Sequence, residues 1–133
     1  MTLTAPVLFG RLHVMPLLRE FLDLNPQVRA RALLLDRVVS LVEEGIDIGV
    51  RLGELPDSAL YAVPVGQVRG VVCASPDCLR HHGRPARPAD LRGHRLIFNE
   101  AGRWSFSSGK LPRVEPILMV NSNAAALDAA VAG

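Results

Sequence analysis

The apolar pattern changes period several times in the first 52 residues. Thr2-Leu3-Thr4 is a short β-prone stub, and Ala5-Pro6 ends it. Leu8, Leu12, Met15, Leu18 and Leu22 then recur at helical spacing, with Val14, Leu17 and Phe21 widening the stripe. Pro16 falls inside this stripe; it either kinks one helix or opens a second in its first turn. Asn25-Pro26 closes the segment, because the residue before proline avoids the helical region. Val28 to Leu35 alternates and then becomes wholly apolar, which predicts a strand covered more fully at its end. Asp36 is placed to cap a helix from Arg37 that buries Val38, Val39, Leu41 and Val42 and stops at Gly45. Ile46 to Leu52 predicts another strand. The order β-α-β-α-β implies right-handed crossovers and a parallel sheet with helices on its faces.

Residues 53–58 read as a loop, and 60–68 as an extended crossing segment, since Pro64 and Gly66 argue against a central strand. A second α/β unit then starts. Arg69 to Ala74 predicts a strand, and Ser75-Pro76 opens a short helix through Arg80. Residues 83–94 form a Gly-, Pro- and Arg-rich surface loop with one helical turn at Pro88-Ala89-Asp90-Leu91. Leu96-Ile97-Phe98, Trp104-Ser105-Phe106 and Glu115 to Val120 are strand candidates, and Asn123 caps an alanine-rich helix through Ala132. Two α/β units joined by a crossing segment suggest a receptor with two lobes. In such folds ligands meet the carboxyl ends of parallel strands, where helix N-termini direct N–H groups outward.

Composition narrows the possibilities. The chain has 133 residues, 49% apolar and 21% charged, a mix that argues for a folded domain over disorder. Its apolar runs fall short of the roughly 20 residues that cross a bilayer, and no secretory signal is visible at Met1. Basic residues number 14 Arg and one Lys. Residues 1–66 hold six Arg against eight acids, and residues 67–133 eight Arg and Lys110 against five. The net charge of +2 does not demand a nucleic-acid partner. Arg80, Arg84, Arg87, Arg92 and Arg95, with His81, His82 and His94, lack interleaved aromatics and read as a solvated loop. Cys73 and Cys78 read as two buried reduced thiols, fitting a reducing cytoplasm. His81 and His82 follow Cys78 closely, but no second cysteine pair completes a zinc site. None of the serines lies in a Gly-x-Ser-x-Gly elbow, and no phosphate loop or dinucleotide fingerprint occurs, so no enzyme activity and no cofactor are expected.

A set of segments in fixed order carries a resemblance over essentially the whole chain. They are Thr4-Ala5-Pro6 with Phe9-Gly10-Arg11; Pro16-Leu17-Leu18, Phe21-Leu22 and Asn25-Pro26; Asp36-Arg37-Val38-Val39 through Gly45; and Asp47-Ile48-Gly49-Val50-Arg51-Leu52-Gly53. Ala74-Ser75-Pro76, His82-Gly83-Arg84-Pro85, Pro88-Ala89-Asp90-Leu91, His94, Trp104-Ser105-Phe106 and Val120-Asn121-Ser122-Asn123 follow. Together they resemble the effector-binding domain of LysR-type bacterial transcriptional regulators. The resemblance implies an α/β fold of the two-lobed, type II periplasmic-binding-protein kind. Residues 1–66 would form the first lobe with a crossing segment, and 67–133 part of the second. It implies a small-molecule inducer between the lobes, a cytoplasmic homo-oligomer (dimer or tetramer) to which the helix within residues 8–24 contributes, no membrane association, and DNA contact only through an N-terminal helix-turn-helix that this chain does not contain. The family pattern continues past Gly133, so the resemblance reads the chain as a truncated sensor, incomplete at its C-terminus.

The candidate ligand-binding residues follow from both arguments. Thr4, Ala5 and Pro6 end a strand before a helix, where a hydroxyl and free N–H groups suit a carboxylate or other anion; the same residues also make a capped turn. Phe9 lines either the cleft or the core. Arg51, just before Gly53, suits bidentate carboxylate binding or an internal salt bridge with Asp47 or Glu54. The resemblance places Asn99, Trp104 and Phe106 toward the cleft, with Trp104 available to stack on an effector. Asn121 and Ser122 precede a helix and serve as cap, ligand donors or both. These groups point to a small anionic or aromatic effector. The rivals are a transport-type solute-binding protein, a small α/β enzyme and a non-functional regulator remnant.

Overall fold

Thr2–Ala5 forms β1, a central strand covered on both faces: Leu3, Thr4 and Ala5 are all buried. The computed structural model describes residues 1–53, 55, 57–100, 104, 106–107 and 112–133. Glu54, Ser105 and Lys110, which enter the sequence reading, lie outside the described residues. The chain divides into two units, Met1–Val72 and Cys73–Gly133.

In the first unit β1 lies between β2 (Arg31–Leu34) and β3 (Ile48–Gly49), all parallel, in the order β2-β1-β3. Ala5 pairs with Leu34, and Thr4 with both Leu33 and Gly49. The expected parallel sheet is present, although β2 and β3 are shorter than the apolar runs that announced them.

The helical stripe resolves into three consecutive pieces, α1 (Val7–Phe9), a π-helical turn (Gly10–Val14) and α2 (Met15–Leu24). Pro16 explains the middle piece. In a continuous α-helix its ring would press on the carbonyl one turn earlier. The π turn widens the helix just before it, and the Met15 N–H reaches the Gly10 carbonyl. Pro16 thus sits in the first turn of α2, where no N–H is missed. Gly10 lets this helix press on the sheet: a Cβ there would stand 2.5 Å from Leu34 Cδ2 and 3.2 Å from Ala5 Cβ. Leu18 is buried, while Leu12, Met15, Leu17, Phe21 and Leu24 remain exposed, so the stripe is covered on one side only.

The helix expected from Arg37 is not there. Residues 41–45 make a single turn instead. The Glu43 N–H meets Ser40 Oγ at 3.4 Å. The turn ends in a Schellman motif, with Ile46 N–H on the Leu41 carbonyl at 2.8 Å, Gly45 N–H on the Val42 carbonyl at 3.3 Å, and Gly45 at φ +62°. Val39 is buried, but Val38 and Val42 are exposed. Asp36, the expected cap, accepts the Val7 N–H through Oδ1 at 2.8 Å and caps no turn of its own.

Residues 60–68 belong to no helix or strand and are exposed. Residues 69–74 are not a strand. No described strand pairs with them, and a strand without a neighbour leaves its backbone groups without a ladder.

In the second unit Ser75 Oγ accepts the Cys78 N–H at 3.1 Å and caps α3 (Pro76–His82), which Gly83 ends at φ +79°. A 3₁₀ turn follows at Pro88–Gly93 and buries Leu91. β4 (Ile97–Asn99) and β5 (Leu118–Val120) pair in parallel, Asn99 opposite Val120, and α4 (Asn123–Ala132) packs on both. Ser122, not Asn123, is the N-cap of α4. Trp104 and Phe106 belong to no strand. Cys73 is exposed, and Cys78 half-buried, so neither is the buried thiol expected.

Candidate functional site

Parallel strands end at a common edge, and the first unit uses that edge fully. The ladder runs past the strands proper: Leu35 N–H donates to the Ala5 carbonyl at 2.9 Å, and Val50 N–H to the Thr4 carbonyl at 2.8 Å. Asp36 and Arg51 are the next residues on either side, so both flank the Thr4-Ala5 end of β1.

Asp36 Oδ1 accepts the Val7 N–H at 2.8 Å and so caps the helix that follows β1. Its second oxygen, Oδ2, is buried and has no partner. Thr4 is fully buried, and its Oγ1 is also without a partner. Arg51 Nη1 donates to the Val50 carbonyl at 3.2 Å, while Nη2 is buried and unpaired. These are the buried side-chain polar atoms left unpaired among the described residues, and all belong to this one edge. A buried polar group without a partner costs about 1–3 kcal/mol, and more when it is charged. All three lie at the carboxyl edge of one parallel sheet, the edge at which ligands meet open α/β sheets.

Of the two structural partners considered for Arg51, Asp47 is engaged elsewhere; its Oδ2 takes the Thr2 N–H at 2.7 Å. Glu54 lies outside the described residues. Gly53, two residues on, is exposed at φ +93°, a conformation that favours glycine. Pro6 and Phe9 are half-buried, and the Phe9 ring lies 4.8 Å from that of His13. Ala5 has no exposed surface and contributes only backbone.

The second unit repeats the edge on a smaller scale. Asn99 ends β4 and donates from Nδ2 to Asn123 Oδ1 at 2.8 Å, tying the strand end to the first turn of α4. Asn121 is exposed, and the Ser122 hydroxyl accepts the Ala125 N–H at 3.5 Å. Trp104 is half-buried between Phe98 at 4.8 Å and Phe106 at 6.3 Å, ring centre to ring centre. Its neighbours are aromatic, so here it packs as much as it presents a face.

Thr4 and Arg51 are candidates in the sequence; Asp36, there a local helix cap, stands beside them at this edge. The available signal was its place immediately after an apolar strand in a parallel sheet. The basic stretch behaves as a surface: Arg80 pairs with Asp77, and Arg87 with Asp90 at 3.3 Å. The backbone N–H groups of Arg87 and Ala86 at 3.0 and 3.1 Å hold the Asp90 carboxyl below its ordinary value. Among the described residues no group of three His, Cys, Asp or Glu side chains is arranged to hold a metal ion, and no helix is long and apolar enough to cross a membrane.

Comparison with known proteins gives a consistent result. The sequence profile described as the LysR substrate binding domain matches residues 1–133. A probable HTH-type transcriptional regulator, LtrA of Klebsiella pneumoniae, is 35% identical over 136 residues, covering 97% of this chain and 44% of that protein. An HTH-type transcriptional regulator of Xanthomonas campestris pv. campestris is 34% identical over 138 residues, covering 96% and 40%. The chain therefore spans less than half the length of these relatives. The CrgA regulatory domain of Neisseria meningitidis, a LysR-type transcriptional regulator, matches with a TM-score of 0.85 at 24% identity over 100% of this chain and 68% of that one. The AphB regulatory domain of Vibrio vulnificus matches with a TM-score of 0.79 at 23% identity, over 98% and 68%. The fold is the type II periplasmic-binding-protein-like fold of these regulatory domains.

Proposed function

The chain belongs to the family of LysR substrate-binding domains, and on that footing we propose that it senses a small-molecule effector for a cytoplasmic transcriptional regulator. The effector binds one arrangement of the sensor better than another and so shifts their populations. DNA is contacted by a helix-turn-helix domain outside these residues, in a homo-oligomer. The chain catalyses no reaction.

One observation carries this reading: Thr4 Oγ1, Asp36 Oδ2 and Arg51 Nη2 are buried, unpaired and gathered at the carboxyl edge of β2-β1-β3. A receptor needs only complementary polar groups, and these are present. The Asn99, Asn121 and Ser122 edge of the second unit and the Trp104 ring are the further proposed contacts.

The test is a thermal-shift screen of the chain against a library of small metabolites. A restricted chemical class raises the unfolding temperature of the wild-type chain, and Arg51→Gln removes that rise. A library that stabilises neither protein, or both equally, contradicts the proposal.

A further inference from the structure

His82 and His94 are distant in sequence, yet their ring centres lie 6.4 Å apart at an interplanar angle of 67°. His82 is the last residue of α3, and His94 follows the 3₁₀ turn. Backbone bonds fix both positions. The Gly83 N–H closes the end of α3 on the Leu79 carbonyl at 3.0 Å, and the His94 N–H reaches the carbonyl of the buried Leu91 at 3.1 Å. Two imidazoles on separate backbone segments are a minimal chelate for a divalent ion of borderline softness, since the neutral ring is a ligand for zinc, nickel and copper. His81 is differently engaged: its Nδ1 lies 2.9 Å from the Asp77 carbonyl oxygen.

Such an ion sits about 2.0–2.1 Å from each ring nitrogen, which puts each ring centre about 3.2 Å from it. Tetrahedral ligand angles then set the two ring centres about 5 Å apart. The observed separation of 6.4 Å exceeds this by only about 1 Å. His82 is exposed, so turning its side chain closes the gap. Charge acts in both directions. The carbonyls of the last turn of α3 present the negative end of the helix to a cation at His82. Arg84, Arg92 and Arg95 oppose it, while Arg80 and Arg87 are offset by Asp77 and Asp90. Among the described residues no third His, Cys, Asp or Glu joins the pair, so water or an anion from solution fills the remaining ligand positions.

We propose that His82 and His94 form a two-histidine site for a divalent ion of the zinc and nickel class. The ion clamps the end of α3 to the segment that enters β4 and closes residues 83–93 into a loop. β4 begins at Ile97, just after His94, so the clamp acts beside the strand that carries Asn99. The site lies wholly within the second unit and does not rest on the effector-sensing role.

Isothermal titration calorimetry of the full chain with zinc chloride, and separately with nickel chloride, tests the proposal. Cys73→Ser and Cys78→Ser in the same chain remove binding by the thiols. One equivalent of ion is expected to bind. His82→Ala and His94→Ala are each expected to weaken it about tenfold or more, and the two together no further than either alone, because a single imidazole does not chelate. His81→Ala is expected to change the affinity by less than about twofold. Where an alanine variant does not fold, NMR of the unsubstituted chain decides: the ring signals of His82 and His94 are expected to move together as zinc is added, with those of His13 and His81 unmoved. The site is overturned if no ion binds the serine-substituted chain, if either the His82 or the His94 variant keeps full affinity, if His81→Ala weakens binding as much as they do, or if zinc moves the signals of His13 or His81 instead.

Discussion

Asp36 Oδ1 accepts the Val7 N–H at 2.8 Å, so the residue that ends one strand's run caps the helix that follows its neighbour. The contact spans 29 positions of sequence and links the carboxyl ends of β1 and β2. Asp36 caps no turn of its own, and residues 37–40 are not helical. Asp36→Ala is expected to destabilise the chain by about 1 kcal/mol through loss of the cap. Asp36→Asn, which keeps an acceptor, is expected to cost less than half as much. Urea unfolding followed by far-UV circular dichroism measures both.

Thr4→Val is expected to act in the opposite direction. It removes a buried hydroxyl that has no partner and keeps the shape of the side chain. A gain of about 1 kcal/mol in unfolding free energy is predicted. Loss of stability in the same urea experiment would mean that Thr4 Oγ1 is satisfied within the folded chain.

Gly10 and Leu34 form a close contact across helix and sheet. Gly10→Ala is expected to cost about 1–2 kcal/mol, since the new methyl meets Leu34 and Ala5, the gain in helix propensity offsetting part of the strain. Leu34→Ala clears the space. The double variant is expected to be more stable than the two single changes predict by about 0.5 kcal/mol or more, measured as a double-mutant cycle.

Asp90 gives a pH dependence of known sign. The Arg87 and Ala86 N–H groups lower its folded-state pKa from the ordinary value of 3.8. A group depressed on folding contributes stability above its unfolded pKa and loses it as pH falls through the folded one. Wild type is therefore expected to lose stability below about pH 3.8 more steeply than Asp90→Asn, with the two curves running parallel above pH 5. Thermal unfolding across that range distinguishes them.

The parallel sheet was legible because its punctuation is local: Pro6, Asn25-Pro26 and Gly45 each act on the residues beside them. The short helices were legible where the cap was also local, as at Ser75 with Cys78. The reading failed where a side chain served a distant partner. Val38, Val39, Leu41 and Val42 have helical spacing, but Asp36 is spent on Val7 and only one turn forms. Val71 and Val72 read as strand from composition, yet a strand also requires a neighbour, and none of the described strands supplies one. At the candidate site the same distinction holds. Thr4 and Arg51 announce themselves as a hydroxyl and a guanidinium at strand ends. Asp36 does not, because its role depends on which strands lie side by side. Asn123 was read as a cap by its position, whereas the hydroxyl one residue earlier has the better reach to the Ala125 N–H.

In the proposed function, Thr4 Oγ1, Asp36 Oδ2 and Arg51 Nη2 at the carboxyl edge of the first unit hold a small molecule. Native mass spectrometry of the chain, after incubation with the small-molecule fraction of a bacterial extract, tests it most directly. A small-molecule adduct of defined mass is expected on the wild-type chain and is lost from both Arg51→Gln and Thr4→Val. An adduct retained by both variants, or none on the wild type, would contradict it.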